Sequence, residues 1–246
     1  MNGNYIETMA LRTCHCDMHG DWRPSAILEA MQETANAHCE QLGLSREATD
    51  ALGVAWVLSR CHVALKRLPQ RGETISVETY PQATRHLFYP RVNVFRDGEG
   101  REIGGAGSLW VLLDLRARRI TDSEAVKSRL PDNRDRDIGP RVSAAVRPLE
   151  AGAVRGECIP SYTDFDINGH ANNTRYLDWC CNALGFETMA EAQLLDFEIS
   201  YESEILPGAR IRTELARQGE RFAFFGYAGD RRCFGIGGTL SPRSAR

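Results

Sequence analysis

A chain of 246 residues with 42% hydrophobic content can bury a sizeable core, as one large domain or as two of about 120 residues. A formal net charge of -3 argues against a protein whose main task is coating nucleic acid, which needs a concentrated basic surplus. The longest apolar runs, Val54–Leu58 and Leu109–Leu113, fall far short of the ~20 residues that span a bilayer as a helix.

The chain opens on polar Met-Asn-Gly-Asn-Tyr-Ile-Glu-Thr rather than on a secretion signal, so its eight cysteines are expected to be reduced thiols of a cytoplasmic protein. Cys14-His15-Cys16 and Cys180-Cys181 lack the two-residue spacer that closes two thiolates on one tetrahedral ion. Packing thiols, with no metal, are the expectation.

In chain order, the first element follows Pro24. There Ile27, Leu28, Met31, Ala35 and Leu42 recur at three- to four-residue steps until Gly43 stops them, which predicts an amphipathic helix. The period then changes, and Cys61–Leu65, Thr74–Thr79, Phe88–Phe95 and Ile103–Leu115 read as strands divided by turn signals. Residues 116–155 are polar, with Pro131, Pro140, Pro148 and many arginines, and predict a linker with one short helix near Ser123–Leu130. A second helix is predicted after Asn172-Asn173, with Tyr176, Leu177, Cys180 and Leu184 on one face and Gly185 at its end. Strands Leu194–Tyr201, Ala209–Ala216, Phe222–Tyr227 and Cys233–Leu240 follow.

The two halves repeat one plan. Asp17 to Asp166 and Leu28 to Leu177 are both 149 residues apart, while Asp97 to Asp230 and Ile103 to Ile236 are both 133 apart. Extra residues in Ser45–Ala55 and Pro81–Leu87 of the first half absorb the drift, and loops tolerate both. One helix followed by consecutive strands, twice, indicates α+β with antiparallel sheets: residues 1–115, linker 116–155, and residues 156–246.

The chemistry-bearing stretch is Asp166-Ile167-Asn168-Gly169-His170, just ahead of the second helix. If extended, its two-residue spacing turns Asp166, Asn168 and His170 to one side, and the N–H groups of Ala171–Thr174 at the helix entrance favour negative charge on a carbonyl oxygen. Asn168 also fits an Asx turn, and Asn172 or Asn173 fits a helix cap better than a catalyst.

A helix on a curved antiparallel sheet, twice per chain, resembles the tandem (double) hotdog fold, and the second copy resembles the acyl-acyl-carrier-protein thioesterases. The first copy contributes Gln32-Glu33-Thr34-Ala35-Asn36, Ala55-Trp56-Val57-Leu58-Ser59-Arg60, Leu68-Pro69-Gln70-Arg71-Gly72-Glu73 and Ser108-Leu109-Trp110-Val111-Leu112-Leu113-Asp114. The second contributes Asp164 through Tyr176 and Ile199-Ser200-Tyr201-Glu202-Ser203-Glu204. The likeness spans roughly residues 5–240.

The resemblance implies a cytoplasmic thioester hydrolase that releases free fatty acid from fatty acyl-acyl carrier protein, with no cofactor and no metal. It places Asp166, Asn168 and His170 on the catalytic positions and Glu204 on the partner acidic position. Either His170 or Glu204 then activates water, Asn168 positions water or carbonyl, and Asp166 orients the set. Some accounts of the family put a nucleophilic cysteine next to the acidic position, where this chain has Ile205.

Aligned through the repeat, Asp17, His19 and Asp21 oppose the catalytic three and Leu68 opposes Glu204, so the first copy has lost the set. It is expected to shape an apolar slot for the acyl chain, with Trp22, Met31 and Trp56 as liners. An acidic carrier would dock on basic surface, for which Arg116, Arg118, Arg119, Arg129, Arg134, Arg136, Arg141 and Lys66-Arg67 are candidates, against a reading as solvated charge interleaved with Asp132, Asp135 and Asp137. An acyl-CoA thioesterase or dehydratase on the same scaffold and a non-catalytic acyl-binding hotdog module are the alternatives. Monomer and homo-oligomer are both open.

Overall fold

The computed structural model describes residues 3–137, 139–142 and 144–243. The chain packs as two compact units, Met1–Trp22 with Ile27–Val142, and Arg23–Ala26 with Ser143–Arg246. The first contains β1 (Tyr5–Ala10), most of α1 (Pro24–Gln41), α2 (Arg46–Ala51), β2 (Val54–Leu65), β3 (Thr74–Pro81), β4 (Tyr89–Asp97), β5 (Glu102–Asp114), β6 (Arg119–Thr121) and α3 (Glu124–Lys127). The second contains β7 (Ala153–Cys158), α4 (Arg175–Leu184), α5 (Phe186–Glu191), β8 (Ala192–Tyr201), β9 (Ile211–Gln218), β10 (Arg221–Ala228) and β11 (Arg231–Pro242).

Within the first unit the strands pair antiparallel in the order β1-β3-β4-β5-β2, with β6 on β5. Within the second they pair antiparallel as β7-β9-β10-β11-β8. Each strand of one order has its counterpart at the same place in the other, so the sequence repeat is a repeat of topology. Gly104 and Gly105 sit opposite Leu65 and Ala64, while Gly237 and Gly238 sit opposite Glu198 and Phe197. The Asp97 and Asp230 turns join corresponding strand pairs but differ in form. Asp97 closes a longer loop by accepting the N–H groups of Glu99 and Arg101, whereas Asp230 lies in the tight turn between β10 and β11.

The residues expected as a loop at Ser45–Ala55 form α2, whose first turn Ser45 caps by accepting the N–H of Ala48, and the start of β2. The first core packs Leu42, Leu44, Val54, Tyr89, Leu112 and Val126 together, with Trp56 and Trp110 against them. In the second, Phe234 is fully buried beside Phe224 and the α4 side chains Tyr176 and Trp179.

Residues 116–155 depart from a free linker because much of the stretch has partners. Val126 of α3 lies in the first core. Buried Asn133 donates to the carbonyls of Gly3 (2.7 Å) and Pro81 (2.9 Å), and Arg136 donates to Glu78 at 2.7 Å while lying over the Tyr80 ring. Burial alone would raise the Glu78 carboxyl, but hydrogen bonds from Arg96, Arg136 and Asn4 outweigh it and hold the carboxyl below its ordinary range. Pro140 then lies on bare glycine: a Cβ on Gly107 would meet its carbonyl at 2.3 Å. In the second unit Val146 lies over Gly235 and Gly237, packs with Ala223 and Phe225, and donates its N–H to Ser200. The first unit therefore extends to Val142, and β7 begins at Ala153, inside the expected linker.

Candidate active site

A single helical turn, Tyr162–Asp164, delivers the chain to Phe165, which bridges to Ala171 and closes residues 166–170 into a tight loop. Asp166 N–H donates to the His170 carbonyl at 3.1 Å and Gly169 N–H to the Asp166 carbonyl at 3.0 Å, with Gly169 in the left-handed region (φ 78) that favours glycine. The expected extended segment is thus a turn, and it is the turn that brings the side chains of Asn168 and His170 to Asp166. Asp166, not Asn168, makes the Asx turn: its Oδ1 accepts Asn168 N–H at 2.8 Å and its Oδ2 accepts Asn168 Nδ2 at 3.2 Å. His170 Nδ1 lies 3.9 Å from Asp166 Oδ1, with the two side chains 29% and 18% exposed, so solvent reaches the pair while the turn holds it.

Glu204 lies beyond the end of β8, in a loop rather than on the strand. That loop is held to the turn by Ala171 N–H, which donates to the Ile205 carbonyl at 2.9 Å. Of the two glutamates nearby, Glu202 forms a 2.7 Å ion pair with Arg232. The Tyr176 phenol is pushed well above its ordinary range by burial first, then by Cys233 and by the charges of Asp166 and Glu204. Tyr176 was read as a helix core position.

Three of the four N–H groups expected to face a carbonyl oxygen are already spent. Ala171 N–H goes to Ile205, Asn172 N–H to the Asp164 carbonyl (2.8 Å) and Thr174 N–H to Asn172 Oδ1 (2.9 Å). Asn172 is accordingly a capping residue, also accepting the Thr174 hydroxyl at 2.9 Å. Ile205 is buried, burial and Asp164 push the Cys158 thiol up to about 11, and burial and Cys181 raise Cys180 well above a free thiol.

The first unit keeps the turn without the chemistry. Asp17 N–H donates to the Asp21 carbonyl, Gly20 N–H to the Asp17 carbonyl, and Asp17 Oδ1 accepts His19 N–H, with Gly20 at φ 78. Trp22 N–H donates to the Pro69 carbonyl as Ala171 N–H does to Ile205, which sets Leu68 opposite Glu204. Asp21 replaces His170 and is buried, accepting Gln70 Nε2 at 3.1 Å. Trp22 has no accessible surface and packs edge-on against Phe95 at 5.5 Å, so it is core and lines no open slot. Met31 is buried, and Trp56 packs edge-on against Tyr89 at 5.0 Å.

Several of the basic candidates are engaged. Arg134 pairs with Asp132, Arg136 with Glu78, Lys66 with Glu102 and Arg67 with Glu73, while Arg129 donates to the Gly43 carbonyl. Arg116 and Arg118 stand in the β5–β6 turn and Arg119 opens β6, and every residue from Leu115 to Ile120 is exposed. Asp114 fixes that turn by accepting the N–H groups of Arg116 and Ala117.

Comparison with known proteins matches residues 2–125 to the acyl-ACP thioesterase N-terminal domain and residues 152–226 to the acyl-ACP thioesterase C-terminal domain. A curated relative, the chloroplastic dodecanoyl-[acyl-carrier-protein] hydrolase of Cinnamomum camphora, is 28% identical over 81% of this chain and 56% of its own length. The chain thus spans about half the length of the curated relatives it matches. Two solved structures share the fold: a 12:0-ACP thioesterase from Umbellularia californica (TM-score 0.86, 21% identity, 99% of each chain) and an acyl-ACP thioesterase from Bacteroides thetaiotaomicron (TM-score 0.82, 20% identity, 98% of each chain). The double-hotdog α+β architecture is therefore that of the matched structures. With both family domains matched in order over more than half of its residues, the chain belongs to the acyl-ACP thioesterase family.

Proposed function

We propose that this chain hydrolyses the thioester of fatty acyl-acyl carrier protein, releasing free fatty acid for lipid synthesis in the cytoplasm. The observation that carries the reading is the closed turn holding Asp166, Asn168 and His170, tied through Ala171 to the loop of Glu204. Asp166, held by both Asn168 donors, acts as the orienting carboxylate for this set and for the imidazole beside it. His170 or Glu204 takes a proton from water, the water oxygen bonds to the carbonyl carbon, and the carbon–sulfur bond breaks. The thiolate leaves and is reprotonated. With a thiol pKa near ~8.5, that leaving group needs little assistance, so no nucleophilic serine or cysteine is required. Met31 and Trp56 remain the proposed acyl-chain liners.

The exposed β5–β6 turn is the proposed docking surface for the acidic carrier. Hydrolysis should be faster, in kcat/KM, for acyl groups on carrier protein than for the same acyl groups on coenzyme A. Reversing Arg116 and Arg119 to glutamate should raise KM for the acyl-carrier about tenfold, an effect salt diminishes, and leave hydrolysis of uncharged acyl-pantetheine unchanged. Equal or better use of acyl-CoA would favour the acyl-CoA thioesterase reading.

A further inference from the structure

We infer that β7 is a dimerisation edge: a second copy of this chain adds its own β7 antiparallel to the first, across a two-fold axis at Gly156. β7 ends the strand order of the second unit and pairs with β9 along all six of its residues. Among the described residues, no backbone group meets its other edge. Alternate N–H and C=O groups therefore face outward, the template on which another strand adds. Natural edges are commonly blocked by lysine, proline or a bulge, and β7 has none of these. Five of its six residues are exposed, Val154 among them.

Charge selects the partner and the register. Residues opposed across an antiparallel pair share a face, and a residue on the two-fold axis opposes its own copy. An axis at Arg155 or Glu157 would set like charges against each other. An axis at Gly156 carries no side chain and sets Arg155 opposite the partner's Glu157, twice by symmetry. Within the chain Arg155 lies opposite Glu214 of β9 and Glu157 opposite Arg212, with Arg155 Nε 3.8 Å from Glu214 and Arg210 Nη1 3.4 Å from Glu157. Each row across the seam then reads Glu214, Arg155, the partner's Glu157, the partner's Arg212, alternating in sign over four strands. The same register sets Val154 opposite the partner's Cys158 and Ala153 opposite the partner's Ile159, which covers apolar side chains that are 72% (Val154) and 58% (Ile159) exposed in the single chain. The first unit's edge lacks this complementarity. At the 149-residue offset Gly156 corresponds to Glu7 of β1, so the matching axis there would oppose two carboxylates.

A seam one strand deep is smaller than a standard protein interface, so the dimer should be weak, with a Kd on the order of 10 µM that rises with salt. Sedimentation equilibrium of the wild-type protein, from well below to about twentyfold above that Kd, measures it. Arg155→Glu and Glu157→Arg should each raise Kd at least about tenfold, because each places like charges across the seam twice. Mixed in equal amounts, the two variants should dimerise again, since each then meets the opposite charge. Val154→Lys, at an exposed position, should also abolish dimerisation, and it carries the test if near-UV circular dichroism shows a charge variant unfolded. Wild-type protein that stays monomeric throughout that range or associates beyond two copies would overturn the proposal. So would dimers of wild-type strength in folded Arg155→Glu, Glu157→Arg or Val154→Lys protein, or folded charge variants that fail to pair when mixed.

Discussion

Alanine in place of His170 is expected to lower kcat on an acyl-carrier thioester by about 10³-fold, in the range that a positioned acid–base group contributes. The imidazole sits on a solvent-reached turn and not in the core, so the folded fraction should be little affected. Asp166→Ala should lose a comparable factor for a different reason. Its two carboxylate oxygens hold the backbone and side chain of Asn168, and their removal loosens the whole turn. A modest stability loss of about 1–2 kcal/mol should accompany it, since the Asn168 donors lose their acceptors. Groups that act as a unit are non-additive, so the double variant should be scarcely slower than the worse single one. Steady-state rates normalised to folded protein check this. Both single variants within fivefold of wild type would remove these residues from the chemistry.

Phe234→Ala should be the most damaging change away from the catalytic groups, lowering stability by about 3–5 kcal/mol. The side chain is fully buried on β11, stacked on Tyr176, packed against Phe224 at 5.6 Å and seated on Gly226. A Cβ on Gly226 would lie 2.1 Å from the Phe234 ring, so the glycine is the floor of this seat. Truncation opens a cavity that α4 can fill only by moving, and α4 follows directly on the turn that carries Asp166 and His170. Denaturant unfolding should show the loss, together with a fall in kcat in the remaining folded protein. Phe234→Leu, which keeps most of the volume, should cost less than half as much.

The long periodic elements were legible because their side chains alternate between core and solvent. All eight strands read from the sequence form, and the helices stop where Gly43 and Gly185 turn the chain with positive φ. The edge strands β1 and β7 were not legible. Each has one neighbour and half-exposed or exposed side chains, with Val154 72% exposed, so neither carries an apolar alternation. α2 and α5 are six residues each, too short to show a helical period. The strap after β5 read as a linker because its anchors are polar: Asn133, Arg136 and the glycine-bared positions under Pro140 and Val146 have no hydrophobic pattern.

At the site, residue identities were legible and geometry was not. Spacing alone left Asp166, Asn168 and His170 compatible with an extended segment, and only the carboxylate–amide bonds within the turn show that Asp166 is occupied holding Asn168. The loss of the set in the first copy was visible as Asp17, His19, Asp21 and Leu68, and the shared turn geometry gives that comparison its register.

The central claim, that this chain is a thioester hydrolase, is tested most directly by incubating wild-type protein with a fatty acyl-carrier thioester and following both products. The account predicts free fatty acid and carrier thiol in equal amounts over many turnovers, with His170→Ala protein as the inactive control. No release from acyl-carrier or acyl-CoA at any chain length, or equal release by the His170→Ala protein, would contradict it.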